Sequence, residues 1–362
     1  MANCFDYLLW RGDLTLTQSP FNEVDGMILA RLSYVPFELI GKRPGMPLNL
    51  GDAAAALLAH PELVDCVRME NDVRLLSALA ESPRFRSMEL SGYVNQVAED
   101  TQFSALTVRL KNRLYFVAYR GTDNTLAGWN EDFDMAYLSP VPAQKRAVEY
   151  LTDLARKIPG RLILGGHSKG GNLAVYAGAF CSSDIRKRID TVYNYDGPGF
   201  LDEVLADKGY RAIRNRIRTY IPQTSIVGMF LGHGETPTVI SSTQNFAPLQ
   251  HDTYSWEVSR DRLVRVDSVT EASMLIDQII KEWSAGIDYA RRKQFVDAVF
   301  QMLRETNAET MDQLSENWSD SALSMARSLR HLDEPTRRAV LGVVGALIHS
   351  GGKQLQQALH RR

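Results

Sequence analysis

Residues 166–170, Gly-His-Ser-Lys-Gly, carry the clearest potential for covalent chemistry in this sequence. An apolar run at residues 161–164 precedes them, and residues 172–180 have the composition of a helix. A strand that turns sharply into a helix exposes a serine hydroxyl at the turn, and small neighbours are needed for the close backbone contacts. The pattern predicts that Ser168 is a nucleophile; a glycine-rich turn with a structural or phosphate-binding role is the alternative.

A serine hydroxyl needs a positioned base, and two histidines lie downstream, where the chain order Ser, acid, His requires one. His251 follows the last predicted strand and is the preferred base, and His233 is the second candidate. His167 adjoins Ser168 and is expected to point away from it. The other histidines lie in the predicted helical parts at the two ends of the chain.

The acid that orients the base is predicted to be Asp196, in the segment Tyr-Asp-Gly-Pro-Gly. It ends the strand predicted directly after the helix that follows Ser168, so both residues are expected at the carboxyl edge of one sheet. Asp252 adjoins His251 and Glu235 lies in a glycine-bearing loop, which makes both weaker candidates. An Asp-Gly-Pro turn without a catalytic role is the alternative for Asp196.

Two residues are predicted to stabilise an oxyanion. The backbone N–H of Lys169 directly follows the nucleophile, where the first residue of a helix can donate to a tetrahedral intermediate. Thr122 follows the apolar run at residues 114–119 and is the predicted second donor, with a simple helix or turn cap as the alternative.

A mostly parallel sheet is needed to position these residues. Strand patterns alternate with helical patterns from about residue 103 to residue 264, which is typical of α/β proteins. The first hundred residues predict mainly helices, one of them starting at Asn22 with Asp25 three residues on. Beyond residue 264 only helical patterns remain. We therefore predict one α/β domain over residues 1–264 with a helical N-terminal segment, and a helical C-terminal subdomain over residues 265–362.

Composition bounds the class of protein. The 362 residues are 44% hydrophobic and 23% charged with a net charge of −2, as in ordinary soluble domains, and offer no basic field for nucleic acid. Three scattered cysteines and no ligand-spaced cluster predict neither disulfides nor a metal or cofactor site. Neither a signal peptide nor an apolar run long enough to span a membrane is evident, so a cytoplasmic location is expected.

At these residues the sequence resembles the class 3 lipases of the α/β-hydrolase superfamily, over about residues 103–258. Residues 119–122, Tyr-Arg-Gly-Thr, are similar to the oxyanion segment of those lipases, with Trp129 and Asp132 downstream, and residues 166–171 are similar to their nucleophile segment. More narrowly, the segments GHSKGGNLAVYA, NYDGPGF, GWNEDF, SIVG and QHDTYSW resemble a bacterial family of lipase-like proteins over most of the chain. The resemblance implies an α/β-hydrolase-like fold with a nucleophile elbow, extended here by C-terminal helices.

One position departs from the class 3 pattern. Where those lipases have the aspartate of their triad, this sequence has Ser225. A serine cannot stabilise an imidazolium as a carboxylate does. Either Asp196 supplies the acid from the neighbouring strand end, or the triad is incomplete.

The sequence therefore predicts a serine hydrolase of small or lipid-like acyl esters that uses Ser168, His251 and Asp196 and needs no cofactor. A catalytically degenerate protein that binds lipid or protein is the alternative, and acyl transfer or thioester cleavage would use the same residues. The apolar residues 340–348 are flanked by arginines, which predicts either a buried helix or a peripheral contact with a membrane surface.

Overall fold

The computed structural model describes residues 2–41, 48–98, 101–122, 138–245 and 247–271, together with residues 135, 273–275, 278–279, 334–335, 337–338 and 341–342. Within these residues, eight strands form one sheet in which spatial order equals chain order. They are β1 (Leu48–Asn49), β2 (Glu89–Ala98), β3 (Thr101–Lys111), β4 (Leu114–Tyr119), β5 (Arg161–His167), β6 (Ile189–Tyr195), β7 (Ile217–Pro222) and β8 (Thr238–Ile240).

The sheet has an antiparallel half and a parallel half. Strands β1 to β4 pair antiparallel with their neighbours, whereas β4 to β8 pair parallel. A separate antiparallel pair consists of β9 (Val258–Ser259) and β10 (Arg262–Leu263). Because parallel strands end at the same edge, the residues that follow β4, β5 and β6 lie near one another, as the sequence pattern predicts.

Helices cover both faces of the sheet. Those of the N-terminal segment are α1 (Cys4–Arg11), α2 (Glu23–Leu32), α3 (Leu50–Leu58), α4 (Leu63–Cys66) and α5 (Glu70–Glu81). Those that follow are α6 (Pro142–Lys157), α7 (Lys169–Phe180), α8 (Ser183–Arg186), α9 (Asp202–Leu205), α10 (Lys208–Ile213) and α11 (Ala247–Gln250). Short 3₁₀ turns span Phe37–Ile40, Arg214–Arg216 and Thr253–Ser255.

The apolar run in β4 explains how one strand serves two cores. Successive side chains of a strand point to opposite faces. Phe116 and Ala118 therefore pack with the N-terminal helices α1, α2, α3 and α5. Val117 and Tyr119 pack instead with α6, α7 and α10 on the other face. A continuous apolar run is the signature of a strand buried on both faces, so the sheet is the middle layer of three.

A buried ion pair connects two parts of the N-terminal segment, helix α2 and the turn after α5. Helix α2 begins at Asn22, whose side chain accepts from the backbone N–H groups of Val24 and Asp25, as the sequence predicts. The Asp25 carboxylate also pairs with the guanidinium of Arg84, and both side chains are fully buried. Since a buried charge is costly without a partner, this pair holds α2 against the turn after α5.

The predicted α/β-hydrolase-like, mostly parallel sheet is confirmed, but its antiparallel half extends further toward the N-terminus than predicted. The mainly helical prediction for the first hundred residues misses β1 and β2. A register shift between Ser91 and Val94 breaks the alternation in β2, and this removes the period-two signal on which a strand prediction depends. The predicted C-terminal subdomain, residues 265–362, lies mostly outside the described residues, so its boundary stays a prediction.

Candidate active site

Ser168 occupies the sharp turn between β5 and α7. Its φ of 58° and ψ of −137° lie in a region that residues with a side chain rarely adopt. Its N–H donates to the carbonyl oxygen of Tyr195 at 2.9 Å, and its own carbonyl accepts from Gly171 at 2.8 Å. The turn is thus the strained strand-to-helix corner that the motif predicts.

The two glycines of the motif are required because backbone atoms lie too close to leave room for a side chain. A Cβ on Gly166 would lie 2.2 Å from the carbonyl oxygen of Gly170. A Cβ on Gly170 would lie 2.1 Å from the carbonyl oxygen of Tyr119 in the neighbouring strand. Both opposing atoms belong to the backbone and cannot turn aside, so any larger residue would displace the turn.

His251 and Asp196 meet at the carboxyl edge of the sheet. Nδ1 of His251 lies 2.6 Å from Oδ2 of Asp196. The carboxylate only accepts, so Nδ1 carries the proton, and the lone pair of the neutral ring is then on Nε2. Asp196 follows β6, is fully buried and, like Ser168, has a positive φ, of 52°. Because Ser168 bonds to Tyr195, the residue before Asp196, the backbones of the predicted nucleophile and acid are directly linked.

The other oxygen of Asp196 is held by the segment around Ser225, where the resemblance to class 3 lipases predicts an acid. The Ser225 hydroxyl donates to Oδ1 at 2.5 Å, and the Gly228 N–H donates to the same oxygen at 3.1 Å. These donors fix the plane of the carboxylate and direct Oδ2 to His251. Ser225 is therefore a hydrogen-bond partner of the carboxylate that lies one strand earlier.

A buried amide network, which the sequence reasoning missed, holds the loop after Asp196. The Asn172 side-chain amide donates to the carbonyl oxygens of Pro198 and Gly199 at 3.1 and 2.9 Å. Gln144 in α6 donates to the Asn172 oxygen at 2.8 Å. The only available sequence signal is Asn172 in the first turn of α7, directly after the glycines of the motif.

The two predicted oxyanion residues are both buried. Lys169 is the first residue of α7 and is fully buried. Thr122 follows β4 and is 2% exposed, and its carbonyl oxygen accepts from Nη1 of Arg68 at 2.5 Å. The preceding residue, Gly121, packs so closely that a Cβ there would be 3.0 Å from Cβ of Ser168. Trp129 and Asp132 lie outside the described residues.

His167 points away from Ser168, as expected, and contacts two other parts of the site. Nε2 lies 2.8 Å from the carbonyl oxygen of His251, and Nδ1 lies 3.1 Å from the hydroxyl of Tyr34. Burial, followed by the charges of His251, Arg31 and Arg68, lowers the pKa of His167 well below its ordinary value. The ring is therefore neutral, with its proton on Nε2 and Nδ1 accepting from the tyrosine.

The weaker candidates lie in other contacts. His233 donates from Nε2 to the carbonyl oxygen of Gly228 at 2.7 Å, and its Nδ1 is 3.5 Å from Glu235. Burial opposes ionisation of Glu235, but the interactions with His233, Thr219 and Tyr210 outweigh it and lower the pKa of Glu235 to about 2.

Asp252 accepts from the N–H of Tyr254 at 3.0 Å and caps the 3₁₀ turn Thr253–Ser255. Burial raises the pKa of Asp252.

The part of the chain that the structure describes contains no group of three or more His, Cys, Asp or Glu that could hold a metal ion. It also contains no helix with the length and apolar character needed to cross a bilayer.

Comparisons with known proteins found one family model and several solved structures similar to this chain. A family model described as Mbeg1-like matches residues 79–301. The crystal structure of M37 lipase is 15% identical with a TM-score of 0.35, and the match covers 56% of this chain and 68% of that one. The native lipase propeptide complex of Rhizomucor miehei is 14% identical with a TM-score of 0.34, over 47% of this chain and 60% of that one. No curated protein sequence matches this chain at a significant level.

Proposed function

The chain belongs to the Mbeg1-like family, and we propose that it is a serine hydrolase that cleaves acyl esters. The observation that carries the proposal is the pairing of His251 with Asp196 at 2.6 Å, where the residue before Asp196 accepts from the N–H of Ser168, whose φ is 58°. Strain of this kind persists only where the surroundings enforce it, and it concentrates at functional sites. The proposed class of substrate, a small or lipid-like acyl ester, is the one implied by the resemblance of the sequence to class 3 lipases.

In the proposed reaction, the Ser168 oxygen attacks the ester carbonyl carbon while Nε2 of His251 takes the hydroxyl proton. Asp196 stabilises the resulting imidazolium and keeps Nδ1 protonated. The backbone N–H of Lys169 and a hydrogen-bond donor of Thr122 stabilise the oxyanion. The intermediate collapses, and the alcohol leaves with the proton from His251. Water, activated by the same histidine, then hydrolyses the acyl-enzyme and restores Ser168.

Relocation of the acid from position 225 to Asp196 is part of this proposal. The ends of β6 and β7 are adjacent, and the N–H of Asp196 donates to the carbonyl oxygen of Tyr220 in β7 at 2.8 Å. A carboxylate from either strand end can reach the same imidazole. The contact of Ser225 with Oδ1 of Asp196 supports this arrangement over an incomplete triad, and therefore supports an enzyme over a degenerate binding module.

A fluorophosphonate probe tests the nucleophile directly. We expect the wild-type protein to be labelled and Ser168→Ala to be unlabelled, because the probe reacts only with an activated serine oxygen. Ser242→Ala is the matched control, since Ser242 is buried and bonds to Ser255 at 2.7 Å. Equal labelling of wild type and Ser168→Ala would refute the nucleophile.

A series of p-nitrophenyl esters of increasing acyl length on the purified full chain would then define the substrate class. Product analysis with an added alcohol or thiol separates hydrolysis from acyl transfer. A contact of residues 340–348 with membranes and a cytoplasmic location remain predictions. Of residues 340–348, only 341 and 342 belong to the described residues.

A further inference from the structure

A buried tyrosine, Tyr34, is one of the contacts between the N-terminal helical segment and the candidate active site. Tyr34 lies just after α2 and is 4% exposed. The guanidinium groups of Arg31 and Arg68 lie 4.5 and 4.9 Å from the centre of its ring. Both distances are within the range of cation–π attraction, so the ring is held by two cations. Its hydroxyl is so close to Gly121 that a Cβ there would lie 2.3 Å away.

Two neighbours fix the proton arrangement of His167. The carbonyl oxygen of His251 can only accept, so the His167 proton resides on Nε2, and Nδ1 accepts from the tyrosine hydroxyl. A histidine with hydrogen bonds of this kind at both nitrogens is fixed in one tautomer and one orientation. The hydroxyl also lies 3.3 Å from the carbonyl oxygen of His167 at the end of β5, which is a second and longer acceptor for the same proton.

A neutral His167 suits the proposed reaction. The ring centres of His167 and His251 are 4.5 Å apart. His251 becomes a cation when it accepts the serine proton, and a second cation at that distance would oppose the step. Burial and the nearby guanidinium groups of Arg31 and Arg68 keep His167 uncharged.

The same N-terminal helices hold the histidine loop at a second point. The Arg31 guanidinium pairs with both carboxylate oxygens of Asp72 at 2.6 and 2.8 Å. Asp72 also accepts from the hydroxyl of Tyr254 at 2.7 Å. Tyr254 lies three residues after His251. The loop is therefore held at the carbonyl oxygen of His251, by His167, and at the hydroxyl of Tyr254, by Asp72.

We propose that Tyr34 and His167 are positioning residues that hold His251 in line with Asp196. On this view the N-terminal helical segment is part of the active-site framework and not only a cover for the sheet. The inference rests on the proposed function for its kinetic consequence, but the two hydrogen bonds can be tested separately.

Tyr34→Phe in the full chain is the first test, because it keeps the ring and both cation–π contacts and removes only the hydroxyl. We expect kcat for p-nitrophenyl butyrate to fall about tenfold, with KM unchanged. Tyr7→Phe is the matched control: Tyr7 is buried in the same segment and donates to Asp25 at 2.7 Å. Equal kcat values for Tyr34→Phe and Tyr7→Phe would overturn the proposal.

Two substitutions of His167 separate positioning from packing. His167→Gln can still donate to the carbonyl oxygen of His251, and we expect it to retain most of the wild-type kcat. His167→Phe fills the space without a donor, and we expect a loss of about 100-fold at equal thermal stability. Equal activity of the two variants would contradict a positioning role.

Proton and nitrogen NMR of the imidazoles provide a readout besides activity. In wild type we expect His167 as the Nε2–H tautomer and a low-field resonance from the His251 Nδ1–H on Asp196; Tyr34→Phe should perturb both. If the wild-type protein neither reacts with the probe nor hydrolyses esters, the proposed function fails, and these resonances alone decide the positioning. Unchanged resonances in Tyr34→Phe would then refute it.

Discussion

Two residues of the candidate site share a positive φ. Ser168 and Asp196 have φ values of 58° and 52°, and each directly follows a parallel strand. A positive φ is costly for a residue with a Cβ, but it turns the side chain out of the sheet at the strand end. The two residues leave adjacent strands, β5 and β6, so they face the same edge.

Two substitutions that each change only one or two atoms test the proposed role of Asp196 as the acid. Asp196→Asn keeps the shape of the side chain but removes the charge that stabilises the imidazolium, and we expect kcat to fall about 10⁴-fold. Ser225→Ala removes one of the donors to Oδ1 while the Gly228 N–H remains, so we expect a loss of only about tenfold. Steady-state ester hydrolysis measures both.

Asp190→Asn is the control for these two variants. Asp190 lies in β6, the strand that Asp196 follows, but at the other end of it, where its carboxylate pairs with Arg161 of β5. Its kcat should equal that of wild type. A kcat for Asp196→Asn within a few-fold of wild type would contradict the assignment of the acid and revive the degenerate-protein hypothesis.

At the scale of elements, the junction of β5 and α7 has little tolerance for change. We expect Gly170→Ala to lower the free energy of unfolding by about 3 kcal/mol and to abolish probe labelling, because its Cβ would press on the carbonyl group of Tyr119. In Gly178→Ala, in the same helix, the added Cβ meets only ends of side chains, the nearest being that of Ile213 at 3.2 Å. We expect that control to change stability by less than about 1 kcal/mol.

Urea denaturation of the two glycine variants measures this difference. Equal stabilities would show that the backbone of the turn can relax around an added methyl group. The strained geometry of Ser168 would then be less firmly enforced than the contacts indicate.

At the scale of the whole molecule, buried ionisable groups make stability depend on pH. The pKa of Glu235 is lowered from an ordinary value of 4.5 to about 2, so as the pH falls the unfolded chain binds this proton before the folded one. Its contribution, about 3 kcal/mol, is fully present above pH 4.5 and is lost as the pH falls toward 2. Glu235→Gln should therefore show a flatter fall in unfolding free energy between these limits.

Urea denaturation across this pH range compares the two proteins. His167 acts in the same direction at higher pH, since a buried neutral histidine resists the proton that the unfolded chain accepts. That contribution is present in both wild type and Glu235→Gln and cancels in the difference. Parallel curves for the two proteins would contradict the lowered pKa.

Local patterns allowed much of the fold and the candidate site to be predicted. The apolar run at residues 161–164, the glycines around Ser168 and the helix after them predicted a strand-to-helix turn, because each encodes a backbone conformation over a few residues. Strand ends in a parallel sheet share an edge, so Asp196 and His251 could be proposed as partners before any distance was known.

Only the tertiary structure decided how distant parts of the chain support that site. Ser225 contacts Asp196 across 29 residues of sequence, and Tyr34 contacts His167 across 133. The antiparallel half of the sheet was likewise hidden, because a register shift in β2 breaks its alternation. A motif specifies local dihedral angles, whereas a hydrogen bond between remote side chains depends on how whole helices and strands pack. The strand-to-helix turn at Ser168 was therefore visible in the sequence, and the contacts that surround His251 were not.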